Sequence, residues 1–360
     1  MRLLMLPKYG PQAASPRQRF HAYVPYLERS GIDVTVQELF SSRYLERYFD
    51  SGKRSSMEVI RAYLGRLGAM LGAGHYDAVM IHFEALPYLP GLPEWYLAQR
   101  NIPYILDFDD AIHHQYEQHA NPLVRKTVGG KIASIVSRAS AVTAGNDYIA
   151  EFASRAGCQR VLTLPTVIDP ERYKPGLKRC AANDGTVTIG WMGSRSTAPY
   201  LQSLFPVIER LAAAHDVRLL IVGAPEGDRS GHGFPVEYRS WNEDREISDL
   251  NDMDIGIMPL PDTPWERGKC GYKLIQYMGV AKPVVASPVG VNRKIVEPGV
   301  NGFLAGTEDE WVEALGSLIE NPALRADLGC SGRKKVEREY SLAVTAPKLI
   351  DLLQEVAAGQ

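Results

Sequence analysis

The residues best suited to chemistry in this chain stand at Gly268-Lys269-Cys270-Gly271-Tyr272-Lys273, ahead of Leu274-Ile275-Gln276-Tyr277-Met278. The pattern is a glycine-broken turn that feeds a helix. The first N–H groups of a helix lack intrahelical acceptors and carry partial positive charge, so such a turn suits a phosphate. Lys269 and Lys273 are four residues apart, and are expected on one face of the opening turns. Together they read as a cationic socket for a diphosphate; the bland alternative is a solvated helix start. A second group lies upstream, where Ile105-Leu106-Asp107-Phe108-Asp109-Asp110 runs into Ala111-Ile112-His113-His114. Three carboxylates at a strand end are not expected in a core, and at least one should face a cleft. The alternative is an Asp that caps the next helix.

Positioning such groups requires regular elements, and short apolar runs do alternate with longer amphipathic stretches. That is the pattern of a parallel sheet with crossover helices. The expected strands of the first half are Arg2–Leu6, Asp33–Gln37, Ala78–His82, Tyr104–Asp107, Ala141–Ala144 and Arg160–Leu164. Helices are expected over Arg17–Ser30, Ser55–Leu71, Tyr88–Arg100, Leu123–Ser137 and Asp147–Ala156. A polar, Pro/Gly-rich linker follows from Asp169 to Gly185. The pattern then restarts with strands at Val187–Met192, Val217–Val222, Val236–Tyr238, Ile255–Met258, Val284–Ala286 and Gly302–Leu304. Its helices are expected at Tyr200–Ala214, Glu246–Asn251, Tyr272–Gly279, Arg293–Val296, Glu308–Glu320 and Pro322–Arg338, with a final one near Leu342–Val356. Two doubly wound halves imply a cleft, with ligands at the carboxyl ends of the strands.

At 360 residues, two domains are the default. A hydrophobic fraction of 45% and a formal net charge of −2 give no reason to expect nucleic acid as a partner. Cys158, Cys180, Cys270 and Cys330 lack metal-ligand or disulfide-framework spacing and fit a reducing cytoplasm. No apolar run is long enough to cross a bilayer, so the expected location is cytoplasmic or peripheral at the inner membrane face.

Several blocks of the second half resemble a known family: Thr188-Ile189-Gly190-Trp191-Met192-Gly193-Ser194, Asp252 to Leu260, the socket through Ala281 to Gly290, and Val296 to Leu304. In order and at these separations, they resemble the retaining nucleotide-sugar glycosyltransferases of family 4, the group 1 glycosyl transferases. Ala141 to Tyr148 and Leu164 to Asp169 match the end of that family's acceptor domain more weakly. The resemblance implies a GT-B fold, two facing Rossmann-like α/β domains with a cleft between them. It implies an acceptor domain at 1–170, a nucleotide-sugar domain at 171–341, and a helix at 342–360 crossing back to the first domain. It further implies a nucleotide-sugar donor, a glycan or lipid-linked acceptor, and no metal or other cofactor.

On this resemblance, Gly193, Ser194, Arg195, Lys269, Cys270, Gly271, Tyr272, Lys273 and Gln276 would hold the donor. Fixed positive charge from Lys273, Lys269 and Arg195 would stabilise the leaving diphosphate. Arg195 also reads as a surface arginine, and Cys270 as a small buried filler. Trp241, where the family's base-binding loop falls, is a stacking partner or a core aromatic. Asp109 or Asp110 would orient sugar or acceptor, so Asp109, Asp110 and Lys273 are the catalytic candidates. Acceptor contacts are expected from the loop holding Gly10 and Arg17, with Arg19, and from His113, His114 and Tyr116; His119 and Asn121 extend that wall.

The departures are specific. The family's glutamate pair falls here on Gly268 and Gln276. Gln276 retains hydrogen-bonding capacity for ribose hydroxyls, while sugar recognition passes to backbone groups, to Glu266, or is lost. Met57, Ile60, Tyr63, Leu64, Leu67 and Leu71 form a helical stripe among basic residues that include Lys53 and Arg54. It reads as a helix packed on the sheet or as a membrane-facing one. Competing functions stay open: a nucleotide-binding GT-B scaffold without catalysis, a nucleotide-sugar 2-epimerase on the same fold, and two Asp-x-Asp enzymes, a GT-A transferase and a haloacid-dehalogenase phosphatase.

Overall fold

The structure, a computed structural model, describes residues 1–41, 43, 44, 47, 55–176, 185–224 and 233–359. The latter half of the expected linker (177–184), Lys53, Arg54 and Cys180 lie outside these residues. The chain divides into two compact units. The first comprises Met1–Thr166, Arg267–Cys270 and Leu342–Gln360, and the second Val167–Glu266 and Gly271–Ser341. The division falls four residues before the expected 170/171 boundary, and the first unit also takes a four-residue segment from the heart of the second half.

The first unit is built on six parallel strands: β1 (Arg2–Leu6), β2 (Asp33–Val36), β3 (Ala78–His82), β4 (Tyr104–Phe108), β5 (Ala141–Ala144) and β6 (Val161–Thr163). Their order is β2-β1-β3-β4-β5-β6. Every residue of β3, β4 and β5 is buried, as expected for a parallel sheet covered on both faces. The C-terminal helix Leu342–Ala358 belongs to this unit, where Tyr23 Oη and Thr345 Oγ1 lie 2.8 Å apart.

The second unit has its own parallel sheet: β7 (Val187–Met192), β8 (Val217–Val222), β9 (Val236–Arg239), β10 (Ile255–Met258), β11 (Val284–Ala286) and β12 (Gly302–Leu304). Its order is β12-β11-β10-β7-β8-β9, so the winding reverses between β7 and β10. In open α/β sheets that reversal is where ligands bind. Trp191, Ile189, Leu219, Ile221 and Ile255 anchor its core. Each unit is therefore Rossmann-like, and the fold class is α/β.

Three long expected helices are broken, each for a local reason. Arg17–Ser30 becomes Ala14–Arg19, a 3-10 turn at His21–Tyr23, and Val24–Arg29. Pro25 has no N–H to continue the ladder, and its ring blocks the carbonyl four residues back. Tyr200–Ala214 splits into Ala198–Gln202 and Phe205–Ala212, with Pro206 at the start of the second piece. Leu123–Ser137 splits at Gly129-Gly130 into Pro122–Val128 and Lys131–Val136. A further helix, His113–Glu117, forms where none was expected, and no side chain caps its start, so neither Asp109 nor Asp110 acts as its cap.

Close packing in the second unit relies on glycine where an aromatic ring meets the sheet. A Cβ at Gly256 would lie 2.3 Å from the Tyr277 ring, which is fully buried and pinned because its hydroxyl accepts the Met192 N–H at 2.8 Å. Gly256→Ala is expected to destabilise the fold by roughly 1–3 kcal/mol through overpacking. A denaturant midpoint equal to the parent's would show instead that the ring has room to move.

Candidate functional site

In the second unit, the residues at the switch point come from the carboxyl ends of β7, β8 and β10. Gly193 closes β7, its N–H donating to Val222 O at 2.9 Å. A Cβ there would meet the Trp191 indole at 2.2 Å, so the chain can turn at that point only without a side chain. Ser194 and Arg195, which follow, are exposed. Opposite the turn, Gly223 sits at φ +87°, where an added Cβ would strike Gly193 O.

Helix Tyr272–Gly279 begins after Gly271, which adopts φ +66° and offers no side-chain cap. The N–H groups of Leu274 and Ile275 turn back to Gly271 O at 2.9 and 3.4 Å. Lys273 Nζ stands 5.5 Å from the Trp191 ring centroid, a cation–π distance that holds the ammonium beside the β7 turn. A chain of polar contacts backs this helix. Tyr173 Oη donates to Glu246, lies 3.0 Å from Tyr272 Oη, and accepts from Gln276 Nε2 at 3.4 Å. Trp241 Nε1 donates to the other Glu246 oxygen at 2.8 Å.

In the first unit, the carboxylates at the end of β4 and just after it each have a different partner. Asp107 is wholly buried in a two-pronged pair with Arg19 and also accepts from Thr143 Oγ1 at 2.6 Å. Asp109 lies 3.3 Å from His82 Nε2. Burial alone would raise its pKa, but the His82 contact, the Arg19 charge and the Ser15 hydroxyl hold it down at about 2. Asp110 pairs with Lys269 at 3.0 Å. Burial works against the Lys269 charge, yet Asp110 keeps the lysine pKa above the ordinary value.

Segment 267–270 is seated on the ends of β4 and β5 by shape and hydrogen bonding together. Asn146 Nδ2 donates to Gly268 O at 2.8 Å and Lys269 O at 3.1 Å, while Asn146 Oδ1 caps helix Asp147–Arg155 through the Ile149 N–H. Cys270 Sγ donates to Asp109 O at 2.8 Å and fills the space a Cβ at Gly145 would need. Gly268 admits no side chain, because its Cβ would lie 2.3 Å from that of Ala111.

The structure thus revises several expectations. Lys269 is not on the opening turn with Lys273: Gly271 breaks the chain between them, and Lys269 belongs to the first unit. Asp107 and Asp109 are buried rather than presented, and Arg19 is committed to Asp107. His113 is buried and stacked on Phe152, with ring centroids 3.8 Å apart. Tyr116 is fully buried, donating to Glu84 Oε1 at 2.5 Å, and Glu84 is also paired with Lys131. Gln276 is buried against Tyr173, and Glu266 accepts hydroxyls from Tyr200 and Thr263.

His114 remains partly accessible, its Nε2 2.8 Å from Tyr148 Oη. Gly10 lies against the Glu38 carboxylate, and the buried Arg17 donates to Pro11 O at 3.4 Å. Sequence reasoning missed His82, Glu84, Asn146, Tyr173 and Glu246. His82 and Glu84 had a signal, since polar residues directly after an apolar strand occupy its ligand-facing end. Tyr173 and Glu246 had none, because their pairing joins positions 73 residues apart.

The description "Glycosyl transferases group 1" belongs to the family model that matches residues 186–321, which lie within the second half of the chain. A GDP-mannose-dependent monoacylated alpha-(1-6)-phosphatidylinositol monomannoside mannosyltransferase of Corynebacterium glutamicum is 24% identical over 221 residues, 53% of this chain and 55% of that protein. The chain spans about half the length of the curated relatives it matches. Among solved structures, sucrose-phosphate synthase of Thermosynechococcus elongatus superposes with TM-score 0.77 at 14% identity, covering 100% of both chains. Anabaena HepE in complex with UDP and glucose gives TM-score 0.72 at 15% identity, covering 99% of this chain and 100% of that one. These likenesses show the fold. The chain resembles group 1 glycosyl transferases in sequence over residues 186–321, and shares the fold of these solved structures.

Two outcomes follow from the first-unit network. Asp107→Ala strands a buried guanidinium and is expected to cost about 3–5 kcal/mol, whereas Arg19→Leu combined with Asp107→Leu should cost much less; urea unfolding of both variants checks this. His113, whose pKa burial and the nearby His114 and Arg155 charges push down to about 3, is neutral in the folded chain at pH 5. An unfolded histidine takes up a proton below about pH 6.5, so this side chain favours folding above that pH and progressively less as pH falls toward 3. His113→Phe should flatten the stability–pH slope between pH 6.5 and 4.5 by up to about one proton.

Proposed function

We propose that this chain is a glycosyltransferase that moves a sugar from a nucleoside-diphosphate sugar to a glycan or lipid-linked acceptor, with retention at the anomeric carbon and without a metal ion. The observation that carries this reading is the coincidence, in one unit, of the group 1 family match with a lysine, a side-chain-free helix start and a glycine turn at the sheet's switch point. The relatives' names support the donor class: one is named for GDP-mannose, and HepE was solved with UDP and glucose. The bacterial relatives are named for a phosphatidylinositol mannoside acceptor and, putatively, for teichuronic acid synthesis, which supports surface glycan or glycolipid chemistry for this chain.

In this mechanism, the diphosphate lies against the amides after Gly271, with Lys273 neutralising charge as the glycosidic bond to phosphate breaks. The Gly193 turn lets backbone approach the phosphates closely, and Arg195 supplies a second cation. The Trp241–Glu246–Tyr173 network fixes the face on which the base and ribose rest. Proton removal from the acceptor needs no dedicated side chain, because the departing phosphate oxygen can take it on the same face. In the first unit, Asp110 and Lys269, tied together, are the candidates for orienting a sugar or acceptor hydroxyl, and His114 is a candidate acceptor contact. The Asp-x-Asp metal readings are disfavoured because Asp107, Asp109 and Asp110 are already matched by Arg19, His82 and Lys269.

One observation favours a second reading, a nucleotide-binding scaffold without turnover. Gly268 has no space for the family's glutamate, and Gln276 is turned to Tyr173. Calorimetric titration with UDP and GDP, with and without Mg²⁺, separates these. Metal-independent binding of one of them is expected, and Lys273→Ala should weaken it about tenfold or more with the fold unchanged. Formation of a new glycoside from the matching sugar nucleotide supports transfer. Nucleotide binding without any glycoside supports the scaffold, and Mg²⁺-dependent binding alone overturns both.

A further inference from the structure

Helix Ser56–Leu71 divides its surface into two unlike parts. One side faces the unit's core through Arg66, Met70, Val59, Ala62 and Tyr63. The other carries Met57, Ile60, Leu64, Leu67 and Leu71, spaced three and four residues apart in a single stripe, and all five are exposed. Leu64 is 63% and Leu71 68% accessible, so the stripe is not packed on the sheet.

A second apolar group lies beside it. Tyr63 Oη donates to Pro87 O at 2.7 Å and ties the following loop to the helix. That loop and helix Leu92–Gln99 expose Tyr88, Leu89, Leu92 and Trp95. Nine of the eleven large apolar side chains exposed among the described residues fall between residues 57 and 95, which makes this a patch rather than scatter.

The charges around the patch choose its partner. Between residues 55 and 100, Arg61, Arg100 and His75 are exposed, while every carboxylate is at least partly buried and engaged. Glu58 meets Arg47 at 2.6 Å, Asp77 the Arg2 N–H at 2.6 Å, Glu84 meets Lys131, and Glu94 the Ala85 N–H at 2.7 Å. Among the described residues of this face, a second copy would bring the same arginines and no exposed carboxylate to meet them. An anionic lipid surface offers both a place for the apolar stripe and phosphate for the arginines. Trp95 and Tyr88 suit the headgroup level, where one side of an aromatic is wet and the other apolar. No helix among the described residues is long and apolar enough to cross a membrane, so the contact lies in the interface plane.

We infer that the face formed by helix Ser56–Leu71 and residues 88–95 docks on an anionic bilayer. The inference deepens the acceptor assignment of the proposed function, since a lipid-anchored acceptor would be met at that surface, but its test is independent of nucleotide binding. The full chain should co-sediment with phosphatidylcholine vesicles containing phosphatidylglycerol, much less with phosphatidylcholine alone, and the binding should weaken with salt. Leu64→Gln combined with Leu67→Gln should lower partitioning by about tenfold. Arg61→Glu should lower it several-fold, and both variants should keep the parent's melting temperature because these side chains are exposed. No association with anionic vesicles, or equal association of the double variant, overturns the inference. A dimer in sedimentation equilibrium that the double variant abolishes would also overturn it, assigning the stripe to a second copy. Nucleotide titration of the same preparations distinguishes a failed membrane contact from a failed donor assignment.

Discussion

A parallel sheet covered on both faces leaves little room for polar chemistry except at the carboxyl ends of its strands. Each sheet of this protein obeys that constraint. The interior positions of β3, β4, β5 and β7 are buried throughout. Charge gathers at their carboxyl ends: Asp107, near the end of β4 and paired with Arg19, in the first unit, and Lys273 beside the turn that ends β7 in the second. The backbone cannot donate further into the sheet at these ends, so the unsatisfied edge is filled by side chains, by glycine turns, or by a ligand.

The two sets of strand ends solve this differently. In the first unit the edge is self-satisfied. Asp107, Asp109 and Asp110 each face a cation or histidine, and the Arg267–Cys270 segment is pinned there by Asn146 and by close contacts that only glycine permits at 145 and 268. Such an arrangement fixes the orientation of these groups. In the second unit the edge is left more open. Gly193, Gly223 and Gly271 remove side chains from the region, and the helix after Gly271 begins without a cap. That difference is why anion recognition is assigned to the second unit.

Glycine choices also account for the departure from the family's glutamate pair. With Ala111 pressed on Gly268, a carboxylate cannot return to that position without moving β4's following turn. Glu266, two residues away, is committed to Tyr200 and Thr263. On the proposed function, recognition of the sugar would fall to groups other than that glutamate pair.

Much was legible in the residues alone. Short apolar runs placed the strands, most to within a residue, because burial of a two-faced parallel sheet imposes its pattern on every position. The helix after Gly271 and its phosphate logic were readable too, since a glycine break and a helix start are local. What the sequence could not decide is which long-range partner claims each charge. Lys269 and Lys273 look like one cationic pair at a spacing of four, yet a single positive-φ glycine sends one to Asp110 and the other to Trp191. Likewise, the stripe from Met57 to Leu71 has the same periodicity whether it faces a core or solvent. Only the tertiary structure shows that Arg66 and Met70 took the inward side, because periodicity fixes a face but not what lies across from it.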